Sequence, residues 1–592
     1  ASLPIREALD ASLNTEALDL ARKAVLENPG TAEPQYLGAL ACARMGAIDE
    51  AECWLAPIDR ERLGDSPLAA EVWSLAGRIA KERYSGANGA IAGEFAQAAI
   101  DCYRRAFGIS RAAYPAVNAA TMAMLSGNHT LASALAREAL SVLGTAGDHW
   151  HHATAGEAHL LLGAIDAARE HYKEAHRLAA NRFGDIASMR RQLLLIGSDR
   201  ARDLLEAVPA PRVIAFSGHM IDHPARAAPR FPAGLEPKVA AALRAALAGL
   251  GPALGYAQAA CGGDILFLEA MQDAGLQTQI VLPCAREDFI AASVSFAGSA
   301  WRERFERVLN GATRVILATE EAYLGDEVLF EHAANLIQGM AFLRAAELSA
   351  QPLLLTVSEG GSQQRTGGTA ATAREWERRG GAMINIDLAL LRGSTVWSRD
   401  AGGEPVPTTP AAPSATRRSL KSLLFADIRG FSRMPEQHTP EFVAVFLGIC
   451  RRALDALDHP AVDANTRGDA LFVVFERPGH AAQFAVRLLQ ALSAVDWPAY
   501  GLAPDTSVRI GLHTGPVYGV FDPVMSKPTF YGTHVNRAAR LEPIVQPGHI
   551  FATEAFAASL VAEGESGFRC DYIGTHPLAK QAGEARLYRL HS

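Results

Sequence analysis

Cysteine is scarce in this chain. Seven occur in 592 residues, at Cys42, Cys53, Cys102, Cys261, Cys284, Cys450 and Cys570, and none forms a Cys-x-x-Cys pair. So odd and dispersed a set excludes a disulfide framework and offers no metal spacing, so reduced thiols and a cytoplasmic location are expected. Long apolar runs are also missing: no stretch of roughly 18 apolar residues occurs, and the N-terminus lacks a basic-then-apolar signal pattern. Neither a membrane span nor a membrane partner is expected. Basic excess is absent too, with a net charge of −8. That argues against nucleic acid as a main partner, which calls for a basic surface.

What is present is a chain too long for one core, since domains run to about 100–200 residues. Hydrophobic residues make up 49% and charged residues 20%, a globular composition. Three regions separate by pattern. Residues 1–207 are Ala- and Leu-rich, with helical periodicity and few β-branched runs. A short motif recurs there, as Gly46-Ala47-Ile48-Asp49-Glu50-Ala51 and Gly163-Ala164-Ile165-Asp166-Ala167-Ala168. A looser copy, Gly127-Asn128-His129-Thr130-Leu131-Ala132, lies 36 residues before the second. Each copy joins two helical stretches, and its Gly is expected to end the first. This resembles tetratricopeptide repeats, whose period is about 34 residues, and implies a protein partner for the repeats. A plain helical solenoid is the alternative.

Residues 211–395 alternate short apolar strands with helices. The strands are expected at Val213–Phe216, Gly255–Ala259, Gln279–Leu282, Arg314–Ala318 and Leu353–Val357. Helices are expected at Glu236–Leu250, Ile265–Ala274 and Trp301–Asn310. This alternation predicts a doubly wound parallel sheet. Gly218, after the first strand, and Gly262 and Gly263, before a helix, sit where such sheets bind ligands. The segment resembles Rossmann-like nucleotide-sensing domains related to lysine-decarboxylase-like and DNA-processing proteins, which implies a nucleotide-like ligand. Tight connections alone would also explain these glycines. Residues 396–416, rich in Pro, Ala, Thr and Ser, read as a flexible linker.

The last region, 417–592, carries most of the chemistry. Ser422-Leu423-Leu424-Phe425-Ala426-Asp427-Ile428-Arg429-Gly430-Phe431 reads as a strand ending in a carboxylate and a Gly turn. Thr439-Pro440-Glu441 is expected to open a helix, with Thr439 as its cap and Pro440 first. Phe442, Val445, Phe446 and Ile449 form its apolar face. Asp469, in Thr466-Arg467-Gly468-Asp469, flanks a further strand 42 residues after Asp427. Two carboxylates at adjacent strand ends can hold divalent cations and suit triphosphate chemistry.

These stretches resemble class III adenylate/guanylate cyclases. So do Val508-Arg509-Ile510-Gly511-Leu512-His513-Thr514-Gly515 and Phe530-Tyr531-Gly532-Thr533-His534-Val535-Asn536-Arg537-Ala538-Ala539-Arg540-Leu541. The resemblance implies a ferredoxin-like catalytic core and a homodimer with its active sites between subunits. It implies Asp427, Asp469 and the Ile428 carbonyl as holders of two Mg²⁺ or Mn²⁺ ions. It gives the amides of Arg429, Gly430 and Phe431 to the phosphates. Asn536 would orient the ribose, Arg540 would stabilise the transition state, and both would come from the partner subunit. Lys580 lies near a phosphate-binding lysine, although the Gly usual after it is replaced by Gln581. His513 reads as structural, and His534 receives no role.

Base recognition departs from the adenylate cyclase pattern. Asn465 and Thr529 stand at the base-reading positions where Lys and Asp are usual. An amide and a hydroxyl can each donate or accept, so the pair suits either purine or a pyrimidine. Thr529 matches a bacterial subset, which favours ATP. A degenerate cyclase acting as a nucleotide sensor or scaffold, and a purely interacting repeat protein, are the competing readings.

Overall fold

The structure, a computed structural model, describes residues 2–592 except 145–146, 224–225, 227, 252, 360–368, 394–416, 430, 432–433, 501, 505, 525 and 566. The expected linker at 396–416 therefore lies outside the described residues. The chain divides into two compact units: 1–211 with 346–350 and 571–574, and 212–345 with 351–570 and 575–592. The α/β and C-terminal regions, expected as separate domains, thus fall within one unit.

Residues 1–211 are helical, with no strand among those described. The recurrent motif marks helix pairs. Ala32–Met45 is followed by Ile48–Leu55, Ala113–Leu125 by His129–Val142, and His149–Leu161 by Ile165–Ala179. Gly46, Gly127 and Gly163 sit between the members with φ of +85°, +82° and +82°, the left-handed conformation that stops a helix. Close approach elsewhere depends on small residues. A Cβ on Gly156 would come 2.9 Å from the ring of Tyr172, and one on Gly77 would come 3.0 Å from Tyr103.

The second unit holds two sheets. In the first, β1 (Arg212–Gly218), β2 (Ala253–Ala257), β3 (Gln277–Leu282), β4 (Arg314–Leu317), β5 (Pro352–Ser358) and β6 (Ala382–Asp387) are ordered β4-β3-β2-β1-β5-β6. Every pairing is parallel. The helix beginning at Gly263 starts two residues earlier than expected, and β2 ends before Ala259. The buried Asp264 carboxylate accepts from the amides of Gly218 and Ala260, both at 3.2 Å, and so shapes this connection. Strand β6 was not anticipated. It is an edge strand with little burial, so it lacks the apolar run that marks the others.

The second sheet contains β7 (Arg418–Ile428), β8 (Asp463–Arg467), β9 (Ala470–Phe475), β10 (Val508–Asp522), β11 (Lys527–Tyr531), β12 (His549–Thr553), β13 (Arg569–Pro577) and β14 (Glu584–His591). Its order is β13-β14-β12-β10-β7-β9-β8, with β11 folded back on β10. Alternation along β7 divides its side chains between two faces. Leu424, Ala426 and Ile428 pack with Phe442, Phe446 and Ile449 of the helix Thr439–Asp455 and with the helix Pro478–Ser493. Leu423 joins Val474, Val517 and Phe530 under Ala538 of the helix Thr533–Leu541. Thr439 is not the cap expected. It is already helical, His438 holds the cap position, and no side chain caps this end.

The two sheets of this unit are joined by polar and close contacts. Arg418, its side chain 2% exposed, meets Glu321 at 2.7 Å and Asp326 at 2.6 Å. Arg314, on β4, makes a two-pronged pair with Glu554 at 2.8 and 2.7 Å. In the helix Val328–Glu347, a Cβ on Gly339 would lie 1.9 Å from the Ala558 carbonyl oxygen, so only glycine fits there.

Candidate active site

Asp427 stands one residue before the end of β7, and Asp469 lies in the turn joining β8 to β9. Gly468, with φ of +64°, permits that turn. Since β7 pairs with β9, the turn returns Asp469 to the end of β7, where the two carboxylates come within hydrogen-bonding reach. Burial and the neighbouring Asp427 push the Asp469 carboxyl up to about 7. Two like charges held in one place are costly unless a cation shares the site.

Two further residues belong here that the motif reading did not single out. Arg509 on β10 lies directly across the ladder from Asp427, and its guanidinium pairs with that carboxylate. It also lies 3.0 Å from Glu542. Burial pushes Glu542 up to about 7, with Arg509 opposing the shift and Asp427 adding to it. A signal for Arg509 was present: it is a cation between Val508 and Ile510, both fully buried. Glu542 follows the helix Thr533–Leu541 and carried none.

The other expected site residues are distributed as follows. The Ile428 backbone ends β7 opposite Val508. The Arg429 amide donates to the Ser507 carbonyl at 3.3 Å. It is therefore not the free phosphate donor expected, because ladder pairing runs one residue past β7. Gly430 lies outside the described residues. The Phe431 ring packs on Phe442, with centroids 5.1 Å apart. Asn465 is on β8 opposite Phe472, and Thr529 is on β11 opposite Val520. Lys527 ties these two strands together, reaching Asp463 at 2.9 Å and the Ala464 carbonyl at 3.1 Å.

Asn536 and Arg540 lie one turn apart on the helix Thr533–Leu541, with Asn536 exposed. Among the described residues, neither is bonded to the carboxylates. Lys580 is exposed in a short turn, where it and Gln581 have φ of +57° and +56°. Gln581 thus adopts the conformation that suits the glycine it replaces. In the α/β sheet, Gly218, Gly262 and Gly263 come together. A Cβ on Gly262 would lie 2.4 Å from the Ile221 nitrogen, and one on Gly263 would lie 2.9 Å from the Gly218 Cα. Backbone packing is thus one reason for glycine at these positions.

Behind the helix Thr533–Leu541, His513 and His534 stack with centroids 5.1 Å apart, and their Nε2 and Nδ1 atoms are 2.8 Å apart. His513 Nδ1 is 2.8 Å from the Thr553 hydroxyl. His332 of the α/β region meets the His534 ring edge-on at 6.0 Å. Burial lowers the pKa of all three, that of His332 to about 4.

Residues 415–592 match the family model for the adenylate and guanylate cyclase catalytic domain, and residues 14–123 match that of Tetratricopeptide Repeats-Sensor. The chain is 31% identical over 164 residues to guanylate cyclase 2G of Mus musculus, covering 26% of this chain and 15% of that protein. It is 26% identical over 159 residues to an adenylate cyclase of Neurospora crassa, covering 24% and 7%. It therefore spans only a small part of these relatives. Among solved structures, an adenylate cyclase of Trypanosoma brucei aligns at 23% identity and a TM-score of 0.26, covering 29% of this chain and 87% of that one. CyaB of P. aeruginosa aligns at 18% and 0.26, covering 30% and 96%. By these family models, the C-terminal region matches an adenylate and guanylate cyclase catalytic domain and is preceded by a tetratricopeptide-like region. Among the described residues, no helix is long and apolar enough to cross a membrane.

Proposed function

We propose that the chain is a cytoplasmic nucleotide cyclase that converts a nucleoside triphosphate, with ATP preferred, into a 3′,5′-cyclic nucleotide and pyrophosphate. The observation that carries this reading is the convergence of Asp427 and Asp469 from separate strand ends, with Arg509 and Glu542 beside them. The split β–α–β–β–α–β run, with strand order β10-β7-β9-β8, supports a ferredoxin-like core. Two hard carboxylates in repulsion fit divalent cations, for which Mg²⁺ or Mn²⁺, two per site, is the proposal. Such cations would screen the triphosphate and favour the ionised 3′-hydroxyl.

Asp427, Asp469 and the Ile428 carbonyl would hold these cations, and the Phe431 amide would serve the phosphates. Asn536 orients the ribose, and Arg540 stabilises charge on the α-phosphate while the 3′-oxygen attacks in line. Lys580 adds positive charge for the phosphates. Asn465 and Thr529 read the base, and their two-way hydrogen bonding keeps GTP or a pyrimidine triphosphate as the alternative.

A homodimer accounts for two features. Asn536 and Arg540 are unbonded to the carboxylates of their own chain, and the β10–β11 hairpin exposes Val520, Phe521, Val524 and Tyr531. The six parallel strands support a doubly wound, Rossmann-like regulatory region. Its nucleotide-like ligand would sit near Gly218, Gly262 and Gly263, and the helical repeats would engage a protein partner.

The test is incubation with Mn²⁺ and each of ATP, GTP, CTP and UTP, with mass-spectrometric detection of cyclic product and pyrophosphate. One cyclic product that disappears in Asp427→Ala is expected. No product from any triphosphate, with nucleotide binding intact, would favour the sensor reading. Arg540→Ala should lower kcat roughly 10²–10³-fold with a small change in KM.

A further inference from the structure

The helical unit contains a cavity of about 680 Å³, within the size range of small-molecule sites. It lies between sequence-distant helices and is lined by residues of Pro67–Gly86, Ala113–Leu125, His149–Leu161 and Phe183–Ile196. Its charge is unusual. Arg78, Lys81 and Arg191 line it, against the carboxylates Glu82 and Glu157. Three cations against two carboxylates leave an excess of one positive charge.

None of the three cations has a carboxylate within ion-pair distance among the described residues. Lys81 is 7% exposed, and its ammonium reaches Asn118 Oδ1 at 2.8 Å and Gln192 Oε1 at 2.7 Å. An ammonium has three donors, so one is left over. Arg78 donates to the Ala43 carbonyl at 3.2 Å. Arg191 donates to backbone carbonyls and the Ser188 hydroxyl. Gln192 bridges Lys81 to Glu157, its amide nitrogen donating to that carboxylate at 2.6 Å.

Burial lowers Lys81 to about 8 and Arg191 to about 10, and the nearby carboxylates Glu157 and Glu82 offset this only in part. A structural ion-pair network would have brought carboxylates to these cations. The remaining lining explains the shape of the missing partner. Tyr84, Tyr114, Trp150 and Tyr172 supply flat apolar surface, and Asn88 and Asn118 supply amides.

We propose that this cavity binds a small anion with a planar ring, of nucleoside monophosphate size, its anionic group held by Arg78, Lys81 and Arg191. This does not depend on the cyclase reading. The test is calorimetric titration of the full chain carrying Asp427→Ala, in chelator, which removes metal-dependent binding at the cyclase site. The probes are AMP, cyclic AMP, benzoate and the uncharged adenosine.

AMP or cyclic AMP should bind with one saturable site per chain and be displaced by benzoate. Adenosine should bind at least about tenfold more weakly. Lys81→Met and Arg78→Ala should each weaken the anion by at least about tenfold. Circular dichroism would show whether Lys81→Met folds. If it does not, Arg78→Ala decides, since that side chain bonds one carbonyl. Equal affinity for adenosine and AMP would overturn the proposal. So would anion binding unchanged by Arg78→Ala, or no saturable binding of any probe at millimolar concentration. An acidic peptide whose binding is lost in Arg78→Ala, with AMP binding absent, would overturn it in favour of a peptide groove.

Discussion

Two charge clusters in the second unit follow opposite rules. Around Arg418, one nearly inaccessible guanidinium meets two carboxylates, Glu321 and Asp326, and all three side chains are largely buried. Around Arg509, one guanidinium faces Asp427, Asp469 and Glu542, and two of the three carboxyls are pushed up to about 7. The first cluster is directly paired and joins the α/β region to the cyclase domain. The second is overloaded with negative charge at the end of β7. A fold that pairs its charges in one place and crowds like charges in another is consistent with adhesion in the first and cation-dependent chemistry in the second.

Breaking each cluster should therefore give opposite results. Asp427→Asn should lower cyclic-product formation at least roughly 10²-fold while leaving the melting temperature unchanged or higher, because repulsion is relieved. A parallel fall in stability and activity would erase the distinction. Arg418→Ala should destabilise the second unit by about 3–5 kcal/mol, since it strands two buried carboxylates. Chemical denaturation would measure this, and a change below about 1 kcal/mol would mean the cluster is a solvated one.

The histidines sharpen the contrast through pH. His332 titrates at about 4 when folded, against about 6.5 when unfolded. The unfolded chain then binds more protons, so stability is intact above about 6.5 and falls as pH drops toward 4. Replacing His332 by Phe should flatten the acid limb of the stability curve, by up to a few kcal/mol at pH 4. For Asp469 the sign reverses. Its folded pKa is raised, so its cost is absent below the unfolded value near 4 and develops as pH rises through about 7. Asp469→Asn should gain stability relative to the parent chain between pH 5 and pH 8; because Asp469 is only half-buried, solvent screening cuts the full linkage and leaves the smallest of these effects, about 1 kcal/mol.

The sequence marked candidate site residues where a motif and a strand end coincide. Asp427 and Asp469 were legible because each stands beside an apolar run whose pairing brings the ends together. The helix-ending glycines of the repeats were legible because Gly tolerates positive φ where other residues are strained. Pairing across a sheet was less visible. Arg509 joins Asp427 only through the β7–β10 register, 82 residues apart in the chain. The occupied amide of Arg429 depends on the same ladder continuing to Ser507. Edge strand β6 lacks a buried run, and the contacts that join Arg314 to Glu554 and Arg418 to Asp326 have no local signature.

Strand β7 begins at Arg418, gripped by acids of the α/β region, and reaches Asp427 nine residues later. At roughly 3.3 Å per residue, that is about 30 Å of extended backbone. It is flanked by β10 along its whole length and by β9 along its inner half. Such a strand is held in register along its length, so the acid-gripped Arg418 and the candidate-site Asp427 are fixed within one frame.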